Sequence, residues 1–261
     1  MSSTLKKRLQ EILWPLMPGW PDEGRRIVQG PHLQAFLKRA TGESRRFSRV
    51  FNAGSGEGGY SPLMLKLPGV TKAFESDFSY TRHLPSRIDP RQVFFGASLA
   101  SVPLADRTID LILCTEVLEH IEDHERALDE ITRVLVPNGW LLITVPTPPA
   151  PPDPNHVREG YRPEELGGML RQRGFEVVET RFCMRYFFRF LLSHWSRFPV
   201  WCPRIVIRAI ALLDRLLPLG PPMDLLMLAR LSGKTPGEFG ADSHGADSHD
   251  ATKRQRVHVE A

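Results

Sequence analysis

From Arg49 onward the chain alternates short apolar runs with helix-length amphipathic stretches, and no other feature constrains its fold as strongly. That alternation is the signature of βα units and a parallel sheet. The runs are Val50 to Ala53, Val70 to Phe74, Gln92 to Phe95, Ile109 to Cys114 and Trp140 to Val145. IDLILC and WLLITV are apolar at every position but one, as expected of central strands covered by helices on both faces. Between them Asp123 is placed to cap a helix with a single apolar stripe, Ala127, Leu128, Ile131, Val134 and Leu135, stopped by Pro137-Asn138-Gly139. A further helix begins at Arg162-Pro163-Glu164-Glu165, with proline near its first position and acids where the dipole favours them, and Gly174 closes it. GFEVVETRFC and MDLLMLARL then complete seven strands.

A chain of 261 residues accommodates one sizeable α/β domain with appendages. Residues 1–46 are expected to form an N-terminal helical cap, with Leu5, Leu9, Ile12 and Leu13 at helical spacing. The domain proper is expected over 47–233, with a helical insertion at 186–219. Beyond it, 234–261 loses periodicity, repeats GADSH in tandem and is expected to be disordered. Three cysteines without CxxC spacing suggest neither a disulfide framework nor a thiolate zinc site. No signal-peptide pattern opens the chain and no run of 18 apolar residues occurs, so a cytoplasmic protein is expected. A net charge of +4 is too small to imply a specific nucleic-acid partner. Pro203 is placed to start a helix with Arg204, Arg208 and Arg215 on one side and Ile205, Ala209, Leu212 and Leu216 on the other. Such a helix suits a lid on the sheet or a peripheral contact with anionic membrane.

The first strand runs into Asn52-Ala53-Gly54-Ser55-Gly56-Glu57-Gly58-Gly59, a glycine loop at a strand-to-helix turn. Glycines suit that turn because the backbone takes φ > 0 and a side chain would block a ligand over the strand end. Taken alone the loop satisfies G-x-G-x-x-G and is open to a dinucleotide. About 20 residues on comes Glu75-Ser76-Asp77, where an acid at the end of the second strand accepts ribose hydroxyls. Asp77 is the preferred residue, Glu75 the alternative.

VFNAGSGEGGYS, AFESDFS, VPLADRTIDLILCTEVLEHI, ALDEITRVLVPNGWLLITVP and HVREGYRPEELGGMLRQRGFEVVE resemble, in order and spacing, the motifs of class I S-adenosylmethionine-dependent methyltransferases, especially the small-molecule group related to ubiquinone and menaquinone methyltransferases. The resemblance implies an α/β, Rossmann-like seven-stranded sheet, mostly parallel, with helices on both faces and the last strand antiparallel. It implies S-adenosylmethionine as cofactor, with Asn52, Gly54, Ser55, Gly56 and Gly58 at its methionine part, Asp77 on its ribose, Ser98 beside adenine and Glu116 facing cofactor and acceptor. Two positions depart from the family. Asn52 stands where an acid is usual, and Gly96-Ala97-Ser98 where an acid often meets adenine. Glu57 in the glycine loop is compatible with a sulfonium cation and would repel a pyrophosphate.

Methyl transfer requires chiefly in-line positioning, plus deprotonation of a hydroxyl acceptor, so no fixed triad is expected. His120 is the first candidate base, with Glu116 four residues earlier on one helix face, and His156 after the Pro-rich loop is the second. His120, His124 and Glu116 lack further ligands at diagnostic spacing, so no metal is expected. The expected acceptor is a small molecule or a lipid- or glycan-linked group. A non-catalytic S-adenosylmethionine- or nucleotide-binding regulatory module is the alternative, and an aminopropyltransferase a third reading.

Overall fold

The structure, a computed structural model, describes residues 13–17, 19–42, 45–78, 89–151, 153–194 and 202–233. Leu5, Leu9 and Ile12 and the tail 234–261 lie outside the described residues.

Seven strands form one sheet: β1 (Arg49–Ala53), β2 (Lys72–Asp77), β3 (Gln92–Gly96), β4 (Ile109–Thr115), β5 (Leu135–Pro146), β6 (Phe175–Cys183) and β7 (Asp224–Leu231). Their order is β3-β2-β1-β4-β5-β7-β6. β7 is antiparallel to both neighbours, and every other pairing is parallel. The fold is therefore the Rossmann-like sheet the sequence implied. Among the described residues six α-helices accompany it: α1 (Pro21–Thr41), α2 (Ser61–Leu65), α3 (His124–Val134), α4 (Pro163–Gln172), α5 (Tyr186–Ser193) and α6 (Arg204–Leu216).

Alternate residues of a strand face opposite sides, and both sides of this sheet are covered. Leu111 and Leu113 of β4 pack with Leu33, Phe36 and Leu37 of α1, whereas Ile112 and Cys114 join Leu128 and Ile131 of α3 and Leu166 of α4. That double burial is why IDLILC is apolar almost throughout. The strand order reverses between β1 and β4, so a crevice opens beyond their carboxyl ends, the place where such sheets bind ligands.

Asp123 does cap α3, accepting from the Arg126 amide at 3.1 Å, but the helix ends at Val134. Leu135 is already extended and pairs with Ile109, so Pro137-Asn138-Gly139 forms an irregularity inside β5, with Asn138 at φ 63°. The second strand runs past its apolar run to Asp77, the end at which the sequence placed that acid, because backbone pairing with Phe94 to Gly96 does not require apolar side chains. On α6 the buried face is Ile207, Ala211 and Asp214, and Ile205, Ala209, Leu212 and Leu216 are exposed. The inward side, packed on α1 and α5, is marked by Asp214, whose carboxylate accepts from the Arg185 and Phe188 amides at 2.8 and 2.9 Å and so caps α5. Arg204 does not lie free with Arg208: it pairs with Glu23 at 2.7 Å and stacks on Trp14.

Candidate functional site

The glycine loop leaves β1 at the crevice. Gly54 has φ 67°, and a Cβ there would lie 2.2 Å from Val117 Cγ2, so only glycine lets the loop pass this close. Gly56 has φ 50°, but a Cβ built on it meets nothing within 4 Å. It would project into open space. The Ser55 amide donates to Ser76 O at 2.8 Å and the Gly56 amide to Asp77 Oδ2 at 2.9 Å, so the loop is strapped to the end of β2.

Over this loop lies a cavity of about 920 Å³. Gly54, Ser55, Gly56, Asp77, Ser98, Glu116 and His120 line it, bringing together residues up to 66 positions apart in the chain. Five carboxylates (Asp22, Glu57, Asp77, Glu116, Glu122) face two guanidinium groups (Arg25, Arg26) in its wall, a balance that suits a cationic ligand. Asn52 and Gly58 do not line it. Asn52 is buried behind the loop and donates to Glu75 Oε2 at 2.8 Å, while Gln92 donates to the other Glu75 oxygen at 3.1 Å. Glu75 is thus a buried structural acid, its carboxyl pushed up by burial, and Asp77 is the acid at the cavity.

Sequence reasoning missed the contribution of α1. This helix lays Arg25 against Glu116, and the two form an ion pair across 91 residues of chain. Glu116 sits just after β4 in the left-handed region, φ 54°, and also accepts from Thr144 Oγ1 at 2.7 Å and Gln29 Nε2 at 3.3 Å. Burial opposes its ionisation, but the Arg25 charge and these hydrogen bonds outweigh burial and hold its carboxyl below the ordinary range. Gln29 Nε2 also donates to Asp224 Oδ2 at 2.8 Å. Burial, then the Glu116 charge, push the Asp224 carboxyl well above its ordinary value.

A second cavity of about 520 Å³ adjoins the first and shares Asp22, Arg25 and Glu116 with it. Its apolar wall includes Pro146, Pro151 and Met184, and Asp153, His156 and Asp224 supply polar groups.

His120 and Glu116 do not share a helix face, contrary to their spacing. Leu118 to His120 is a single 3₁₀ turn, and Glu116 precedes it in a reversed backbone conformation. His120 Nδ1 lies 2.9 Å from the carbonyl of Asn155, which can only accept, so in the neutral ring Nδ1 carries the proton and Nε2 the lone pair. The Pro-rich loop brings His156 edge-on to His120, ring centroids 4.7 Å apart. Burial, then the His120 charge, lower the His156 pKa. Beside both imidazoles lies Glu119, with no exposed surface and its Oε1 3.9 Å from His120 Nε2 and 4.0 Å from His156 Nε2. His124, the metal partner considered from spacing, is drawn away by Tyr161 Oη at 2.7 Å and by Arg158.

Residues 51–143 match the methyltransferase domain family. A probable S-adenosylmethionine-dependent methyltransferase of Mycolicibacterium smegmatis is 31% identical over 138 residues, covering 50% of this chain and 53% of that protein. A protein of Mycobacterium tuberculosis with the same description is 32% identical over 141 residues, 51% of this chain and 50% of its own. The chain thus spans about half the length of the curated relatives it matches. Among solved structures, an S-adenosylmethionine-dependent methyltransferase of Archaeoglobus fulgidus aligns with TM-score 0.53 at 18% identity over 77% of this chain and 93% of its own. The [4+2]-cyclase SpnF aligns with TM-score 0.55 at 18% identity over 78% and 82%. These likenesses concern the fold, which in the second case carries a different reaction. Residues 51–143 thus match a methyltransferase domain, the curated relatives that share this region are described as S-adenosylmethionine-dependent, and the solved structures share the Rossmann-like fold.

Proposed function

We propose that this domain transfers a methyl group from S-adenosylmethionine, held in the larger cavity, to an acceptor in the adjoining one. The observation that carries this reading is the open space over Gly56, walled by Asp77 and an excess of carboxylates at the sheet's switch point. S-adenosylmethionine supplies an activated methyl carbon when bound. In this reading Gly54, Ser55 and Gly56 seat its methionine part, Asp77 accepts the ribose hydroxyls and Ser98 flanks adenine. Asn52 and Gly58 act from behind, by holding Glu75 and by shaping the turn. The acceptor, a small molecule or a lipid- or glycan-linked group, approaches from the apolar second cavity. There the acceptor–methyl bond forms as the sulfur–methyl bond breaks, and a hydroxyl acceptor gives its proton to His120 Nε2, with His156 beside it.

Binding of S-adenosylhomocysteine to the purified chain, followed by transfer of label from S-adenosylmethionine into a cell extract, tests the reading. Uptake without transfer to any fraction would instead favour a binding module. Replacing Asp77 with alanine should weaken S-adenosylhomocysteine binding by about 1.5–3 kcal/mol, roughly ten- to a hundredfold, since a hydrogen bond to a charged group is worth about that much. Calorimetry reads this directly, and an unchanged affinity would remove Asp77 from the ribose site.

A peripheral contact with anionic membrane is a second element of the proposal, favoured by α6. Its Ile205, Val206, Leu212, Leu213 and Leu216 are exposed alongside Arg208 and Arg215. Apolar side chains flanked by arginines suit the interface of an anionic bilayer. Leu212→Glu with Leu216→Glu should abolish sedimentation with phosphatidylglycerol vesicles, and Arg208→Glu should weaken it. No described helix is long and apolar enough to cross a membrane.

A further inference from the structure

We propose that Glu119, His120 and His156 bind one divalent first-row cation of the zinc or cobalt kind, at the seam between the two cavities. Their ligand atoms all lie within 4.8 Å of one another. Two imidazoles and one carboxylate form a donor set suited to such ions, and three protein ligands leave coordination positions open.

The buried acid points to the ligand independently of the cluster. Glu119 has no exposed surface, and neither of its carboxylate oxygens accepts a hydrogen bond from another described residue. A carboxylate enclosed without a donor is strongly unfavourable unless a cation or a proton compensates it. The neighbouring imidazoles are prepared for a cation. The hydrogen bond from His120 Nδ1 to the Asn155 carbonyl fixes the tautomer with the Nε2 lone pair toward Glu119, the arrangement that orients metal-bound histidines. The Val157 amide donates to Glu119 O at 3.0 Å and so ties the segment bearing His156 to the turn bearing the other two ligands. The nitrogen-to-oxygen separations of 3.9 and 4.0 Å exceed the ~3.3 Å of a tetrahedral site with bonds of about 2.0–2.1 Å. Closing that gap takes side-chain rotations of less than about 1 Å, and His120 is partly exposed and can make one.

Place in the fold suggests what the ion is for, a role that rests on the proposed methyl transfer. His120 lines the larger cavity and His156 the smaller. An ion between them meets an acceptor oxygen where the two cavities join, positions it and lowers the pKa of a hydroxyl; because the ion takes the His120 Nε2 lone pair, it replaces that nitrogen as the activating group and the hydroxyl proton leaves to solvent. Sequence spacing concealed the site by pairing His120 with His124. The third ligand is His156, supplied by a loop 36 residues further on.

The test uses the untagged full chain, stripped with chelator, incubated with one equivalent of Zn²⁺ and desalted. The native chain should retain one zinc, and Zn²⁺ should raise its unfolding temperature. Glu119→Gln, which keeps the side chain's shape, and His156→Asn should each hold zinc at least about tenfold more weakly and lose the thermal shift. A His244→Ala, His249→Ala chain should behave as native, excluding the repeated tail. S-adenosylhomocysteine binding is measured on every sample as a check of folding and of the methyltransferase reading. A native chain that binds S-adenosylhomocysteine but retains no zinc overturns the metal site and leaves the proposed function standing. A full equivalent of zinc on Glu119→Gln also overturns it. Zinc retained by the native chain but lost by both variants, without S-adenosylhomocysteine uptake, supports the site and removes its proposed role.

Discussion

Gly56→Ala should yield a folded chain whose affinity for S-adenosylhomocysteine falls by about a hundredfold or more, a loss of roughly 2.7 kcal/mol. The added methyl projects from a residue that lines the cavity, into space where no atom other than those of Gly56 and its chain neighbours lies within 4 Å. At φ 50° alanine costs the fold about 1–2 kcal/mol, within what a typical domain tolerates. Gly54→Ala should behave differently. Its Cβ meets Val117 Cγ2 at 2.2 Å, so overpacking of about 1–3 kcal/mol adds to the same backbone strain. Denaturant midpoints read the fold and calorimetry reads the ligand. If Gly56→Ala binds as tightly as the native chain, the space above Gly56 does not seat the donor and the proposed function loses its main support.

The contrast between these two glycines also shows what a sequence can and cannot convey. G-x-G in a strand-to-helix turn marks both residues, yet only coordinates reveal that one is required by a protein neighbour and the other faces a void. Asp77 was legible because its distance from the glycine loop and its place at a strand end are both local facts. The central strands were legible because burial on two faces leaves an apolar run with few alternatives. Asn52 was read as a ligand residue from its place in a motif, but its amide is occupied by Glu75, which no linear spacing reveals. Which face of α6 turns inward was left open by the sequence for a related reason. Its pattern offered two apolar stripes, and a buried aspartate capping the neighbouring helix decided which one turned inward.

Arg25 illustrates the least legible kind of residue, and its removal should have the largest effect on stability. Its guanidinium pairs with Glu116 and also lies 3.8 Å from Asp22, while Asp224 sits beyond the shared Gln29. Arg25→Met leaves the partly buried Glu116 without its counter-charge, and breaking the pair from one side costs up to about 3 kcal/mol, the low end of the range for a fully buried pair. The pH dependence should change sign as well. In the native chain the Glu116 carboxyl is held below its ordinary value, so its stabilising contribution is present above the unfolded carboxylate pKa and is lost as pH falls through the folded one. Without Arg25 burial is unopposed and the carboxyl pKa rises, so the variant should gain stability relative to the native chain as pH is lowered from 7.5 toward 5. Arg25→Met combined with Glu116→Gln should recover most of the loss, because the uncompensated charge is then gone. Urea unfolding at the two pH values separates these outcomes. A single variant as stable as the native chain, or a double variant no more stable than the single, would mean that the pair joining α1 to the end of β4 does not organise the wall between the two cavities.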